Sequence, residues 1–124
     1  MAARTFLGIS ALIWVPFGVY CLFVPGFLAD AAGVSFATPT GATELRATYG
    51  GLTLVIGGFA LMGALRTPCR GNGLLVLAAA CTGLGGARLV GLVLDGGFSA
   101  WTGQALALEL TTAAIAWWLQ VRHA

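Results

Sequence analysis

Four apolar runs, each long enough to cross a bilayer, dominate this chain, and two of them carry a charge in mid-run, Arg88 and Glu109. A helix of about 20 apolar residues spans a hydrocarbon core of ~30 Å while bonding every backbone polar group within itself. An ionisable side chain inside such a span costs at least ~2.5 kcal/mol on insertion scales, so it faces a partner or a wet cavity. The runs therefore point to an all-α integral membrane protein, and the two charges mark a candidate site. Composition leads the same way. With 59% hydrophobic and 8% charged residues, the chain has too little polar surface to cover a soluble globule.

Several function classes drop out at once. The net charge of +2 comes from six arginines and four acids, with no basic cluster that would grip a nucleic-acid backbone. Cys21, Cys69 and Cys81 stand far apart without a CxxC spacing, so each is read as a small buried hydrophobe and not as half of a disulfide. His123 is the one histidine, next to the end of the sequence, which leaves no ligand set for a metal or haem. No cofactor is expected. At 124 residues the chain supplies a single domain over 1–124 with no second unit or long linker.

The expected spans cover about 5–29, 44–65, 73–94 and 101–121. The last three hold roughly 21 or 22 residues each, or about 32 Å at 1.5 Å per residue. Breakers separate the runs: Pro39 and Gly41, then Pro68, Gly71, Asn72 and Gly73, then Asp95, Gly96 and Gly97. Pro16 in the first run predicts a bend, because it removes one helical hydrogen bond. A rival reading takes residues 1–31 as a cleaved signal peptide, with Ala29, Asp30 and Ala31 as its small-residue site. The length of the run and its central proline favour a retained span.

Crossing four times, the chain puts Arg4, Arg66, Arg70 and Arg122 on one side, and Asp30, Glu44, Arg46 and Asp95 on the other. Loop arginines favour the cytoplasmic face, so the expectation is a four-helix bundle with both termini cytoplasmic. Trp101 at one end of the fourth run and Trp117 and Trp118 at the other suit aromatic anchoring at the two interfaces.

Helical spacing places the polar residues on faces. Arg46, Gly50, Thr53, Gly57, Ala60 and Ala64 form one stripe, Ala78, Cys81, Gly85, Arg88, Gly91 and Asp95 a second, and Ala105, Glu109, Thr112 and Ala116 a third. Small residues let helices approach closely in lipid, so Gly50, Gly57, Gly85 and Gly91 are read as packing positions. Arg88 lies roughly 10 Å along the axis from Asp95, and Glu109 roughly 12 Å from Trp101, so the two match in depth and are expected to pair. Glu44, Arg46, Tyr49, Arg88, Asp95 and Glu109 would then ring the outer half of the bundle. Two explanations stand side by side: a structural clasp that fixes helix register, or a pocket open to the outer leaflet.

The segment Glu44-Leu45-Arg46-Ala47-Thr48-Tyr49-Gly50-Gly51, with Pro25-Gly26 before it and Ala87-Arg88-Leu89 and Leu108-Glu109-Leu110 after it, resembles the family known as domain of unknown function 4345. The resemblance implies a small bacterial four-helix membrane protein of DoxX-like architecture, in the inner (plasma) membrane. Glu44, Arg46, Tyr49, Gly50, Gly51, Arg88 and Glu109 match that family's polar and glycine positions, and no activity comes with them.

Three functions compete at this point. An apolar bundle with a few convergent polar groups suits a binding or accessory protein, whose partners are the lipid bilayer with a lipophilic small molecule, a homo-oligomer or a larger membrane complex. A membrane-embedded isomerase or hydratase would use Glu109 as general acid or base, with Arg88 setting its charge and Tyr49 orienting an oxygen. An oligomeric transporter or proton pathway is the third. The chain carries no nucleophile elbow, P-loop or cofactor fingerprint, which favours the first.

Overall fold

The computed structural model describes residues 1–123, and all regular structure among them is helical. Ala124, the last residue of the expected domain, lies outside the described residues. α1 (Ala2–Phe23) is followed by the short α2 (Phe27–Ala32). A continuous rod comes next, made of α3 (Pro39–Leu45), a π-helical stretch (Arg46–Leu52) and α4 (Thr53–Leu65). A 3-10 turn (Thr67–Cys69) leads into α5 (Arg70–Asp95), and α6 (Ala100–His123) comes last.

Local chemistry explains the ends. α1 runs through Pro16 as one helix but stops at Phe23, short of the expected residue 29. Pro25 disfavours the α conformation in the residue before it, and Val24 sits at φ −128°, ψ 61°. The second rod starts at Pro39 and not at 44, because the Thr38 side chain accepts a hydrogen bond from the Gly41 N–H at 3.1 Å with proline at the start of the helix. Gly96, at φ +69°, ends α5 in the left-handed conformation that glycine adopts without a Cβ penalty. The Ser99 hydroxyl accepts from the Thr102 N–H at 3.2 Å and opens α6.

Among the described residues, three helical segments are long and apolar enough to cross a membrane: Ala2–Phe23, Pro39–Leu65 and Thr67–Asp95. α6, expected as a fourth span over 101–121, has the length at 24 residues but is less apolar than those three, with Gln104, Glu109, Thr111 and Thr112 in its body. Leu12, Leu65, Val93 and Leu94 are largely exposed on the outside of the helices. An apolar face of this kind is covered without penalty by hydrocarbon, not by water.

The helices pack in chain order, α1 on α4 and the π stretch, α4 on α5, and α5 on α6. The half of the bundle that holds the termini, the terminal half, contains a packed apolar core of Leu7, Leu74, Leu77, Ala78, Ala116 and Leu119. Close approach here depends on missing side chains. A Cβ on Gly57 would lie 2.9 Å from the Val15 backbone nitrogen, and one on Gly73 would lie 2.8 Å from the Phe59 carbonyl oxygen. In lipid such contacts supply association that the hydrophobic effect does not. Gly50 works the same way higher up, against the Leu22 backbone at 2.9 Å.

Candidate ligand-binding site

The opposite, distal half is built differently. α1 and α6 pack little against each other anywhere along the bundle, and in this half a cavity of about 350 Å³ lies between them, backed by the π stretch, α4 and α5. Ile13, Trp14 and Phe17 form its α1 wall, while Trp101, Gln104, Ala105 and Leu108 form its α6 wall. Tyr49, Thr53, Ile56, Leu84, Arg88 and Glu109 line the back. Aromatic rings cluster at its distal end: Phe17 lies 6.2 Å from Trp101 and meets Phe27 edge-on, also at 6.2 Å, and Phe27 lies 4.7 Å from Tyr20.

At the back of this cavity Arg88 and Glu109 form the expected pair. Arg88 Nε donates to Glu109 Oε2 at 2.9 Å and to Oε1 at 3.1 Å. The Glu109 side chain is 4% exposed and that of Arg88 25%, so the carboxylate is buried and the guanidinium reaches toward the open space. Gly85 makes this reach feasible. A Cβ there would lie 2.9 Å from Leu110 Cδ2 and 3.6 Å from Glu109 Cβ, so the missing side chain lets α6 settle against α5 one turn below Arg88.

Of the six polar residues expected to ring this half, Tyr49, Arg88 and Glu109 come together on the cavity, while Glu44, Arg46 and Asp95 do not. Arg46 points to α1, where its guanidinium donates to the Leu22 carbonyl. Gly50, four residues on, packs against the backbone of the same Leu22, and Gly57 against Val15, so Arg46 keeps to the side of its rod that faces α1 and does not turn to the cavity. The Leu22 carbonyl is in the last turn of α1 and has no intrahelical partner, so a cation suits it. Glu44 and Asp95 are exposed and make no hydrogen bond or ion pair among the described residues.

The packing expectation also needs one correction. Gly50, Gly57 and Gly85 each face a neighbouring helix, but a Cβ on Gly91 would meet nothing nearer than Asp95 Oδ2 of its own helix, at 4.0 Å. Cys21 and Cys81 are buried, whereas Cys69 in the 3-10 turn is partly exposed. Trp117 donates to the Thr82 hydroxyl at 2.9 Å, and Arg122 stacks on the Trp118 ring at 3.9 Å.

Sequence reasoning follows charges and so misses the α1 wall. Ile13, Trp14 and Phe17 share a face at helical spacing, yet they sit in a run that is apolar all round, where no residue type stands out. Trp101, an interfacial anchor by its place in the sequence, also closes the cavity. Chemically, the site offers a guanidinium, a phenol and an amide among apolar walls. No curated protein and no solved structure matches the chain. The family described as domain of unknown function (DUF4345) matches residues 2–120. The chain, with its ELRATYGG segment running from the end of α3 into the π stretch behind the cavity, belongs to that family.

Proposed function

We propose that this is a four-span membrane protein, both termini on the cytoplasmic face, that binds a lipophilic molecule in its distal half. The arginine distribution supports the orientation, since Arg4, Arg66, Arg70 and Arg122 share the terminal end. α6 supports the span count by its length and by its packing along α5. The observation that carries the binding reading is the 350 Å³ cavity, mostly apolar, with the Arg88–Glu109 pair at its back. Pockets of this kind, apolar with few polar groups, are what small-molecule sites look like.

The test is native mass spectrometry of the detergent-extracted protein beside Ala105→Phe, which fills the cavity from α6 and leaves both members of the ion pair in the sequence. A lipophilic adduct on the wild type that Ala105→Phe lacks is the expected result. A folded wild type that never carries an adduct, from any membrane it is expressed in, defeats the reading.

A second reading has one specific observation behind it: Glu109, Arg88 and Tyr49 all line one cavity. In a membrane-embedded enzyme of isomerase or hydratase type, Glu109 would transfer the proton and Tyr49 would hold a substrate oxygen. Glu109→Gln then abolishes turnover of a bound ligand while binding persists. Unchanged composition of the bound ligand after incubation with the wild type counts against catalysis.

A further inference from the structure

We propose that the cavity takes an uncharged lipophile with a hydrogen-bond-accepting head, such as a ketone carbonyl, and admits it sideways between α1 and α6; this rests on the cavity being a ligand site. Charge decides the head group first. Both Glu109 oxygens are held by Arg88 Nε, so the pair is neutral as a unit. An anionic or cationic head would add an uncompensated charge to an apolar chamber, which is costly.

Hydrogen-bonding capacity decides its polarity. Arg88 spends Nε on Glu109, while Nη1 and Nη2 make no hydrogen bond among the described residues. A guanidinium only donates, and the carboxylate that could accept from a ligand is almost fully buried. Arg88 therefore presents N–H donors alone, while Tyr49, Thr53 and Gln104 on the same lining can donate or accept, so an acceptor is the head that every one of these groups can serve. Size and route come from the walls. A volume of about 350 Å³ is at the small end of ligand sites, which suits a single-chain or single-ring molecule and not a two-chain phospholipid. The aromatic cluster of Phe17, Trp101 and Phe27 stands across the distal end, whereas the α1–α6 seam has little backbone contact and is flanked by the apolar, partly exposed Ile13 and Leu108.

The experiment measures retention of tritiated 2-tridecanone by the full chain in phosphatidylcholine nanodiscs, above that of protein-free discs, with unlabelled 2-tridecanone or tridecanoate as competitor. We expect displacement by the ketone and at least tenfold weaker displacement by the carboxylate. Arg88→Met/Glu109→Met, which removes the donors without stranding a charge, should weaken retention at least tenfold in a protein that stays folded. Ile13→Trp/Leu108→Trp should slow association at least tenfold. Tridecanoate competing as well as the ketone overturns the head-group assignment, and unaltered association in the tryptophan variant overturns the route, each leaving the site itself in place. If neither compound is retained by folded wild type, the ligand-site reading falls with the proposal.

Discussion

The two halves of this bundle share their helices but not their packing. In the terminal half, Leu7, Leu74, Leu77 and Ala116 have no exposed surface, and glycines at 57, 63 and 73 bring backbones into contact. In the distal half α1 still packs on the second rod through Gly18 and Gly50, and α5 on α6 through Gly85, but α1 and α6 stand apart around about 350 Å³, with Trp14, Phe17 and Trp101 on the walls and an ion pair at the back. The terminal half is filled as close-packed interiors are, whereas the distal half leaves a cleft between α1 and α6. Side-chain size along the helices follows that difference. Where glycine and alanine line a face, neighbours close up; where aromatic residues line it, they hold the helices apart.

The contrast breaks most severely at Gly57. A side chain there meets Val15 backbone at 2.9 Å and Val15 Cγ2 at 2.7 Å, and backbone cannot step aside as a rotamer can. Gly57→Leu should cost about 3 kcal/mol, at the upper end of the overpacking range, read by denaturant unfolding in mixed micelles. A cost under ~1 kcal/mol would mean that α1 and α4 are not locked in the terminal half.

Leu77→Ala probes the same half from the opposite direction. In water, truncating a buried leucine costs 2–5 kcal/mol, part transfer and part cavity. Lipid removes most of the transfer part, leaving about 2 kcal/mol for lost packing. Cutting back Leu84, which lines the existing cavity, should cost less than half as much, since its side chain has fewer atoms packed against it. Equal losses at the two positions would erase the distinction between a packed and an open half.

The ion pair comes next. Removing one member of a fully buried pair costs about 3–5 kcal/mol because the other charge is left alone. Arg88→Met leaves the buried Glu109 carboxylate unpaired, but at the edge of the cavity, so the cost should be about 2 kcal/mol. Arg88→Met/Glu109→Met should regain most of that stability, because no buried charge is left alone. A double variant as unstable as the single one would show that the pair holds α5 against α6 and is a clasp above all.

How much of this is legible in the sequence depends on whether a property leaves a signature there. The depth match of Arg88 and Glu109 comes from counting residues at 1.5 Å each, and it leads to the pair. The small-residue stripes come from the 3.6 period, and Thr53, Gly57, Ala60 and Ala64 are all buried. The π stretch leaves no such trace. Glycine and threonine within Arg46–Leu52 allow it, but a shift from i→i+4 to i→i+5 bonding changes no composition. The period keeps Arg46 on the Gly50 side of the rod, yet nothing in the sequence says that this side meets Leu22 of α1 and not the cavity. The cavity is half visible: its charged wall stands out from the apolar run, and its aromatic wall on α1 does not.

Filling the cavity should change stability far less than disturbing the core. Ala105→Phe adds a ring to open space on the α6 wall, so we expect a change within about 1 kcal/mol and in the stabilising direction. A loss above ~2 kcal/mol would mean that the space is too small for the ring and that α6 cannot shift to accommodate it.

The smallest effect is the most diagnostic of where glycine packing stops. Gly85 and Gly91 belong to one small-residue stripe of α5, but six residues turn about 120°, so they stand at its two edges. A methyl on Gly85 meets Leu110 Cδ2 at 2.9 Å, but one on Gly91 meets only Asp95 Oδ2 of the same helix, at 4.0 Å. Gly91→Ala should therefore gain about 0.5 kcal/mol, because alanine loses less conformational freedom on entering a helix and strikes nothing. Gly85→Ala has the same backbone gain, set against the need to move Leu110 away from Glu109, and should come out neutral or worse. Unfolding midpoints of the two variants, measured side by side, decide the matter. If Gly91→Ala destabilises as Gly85→Ala does, another helix or another copy of the chain lies against Gly91, and the open half extends less far along α5 than the cavity indicates.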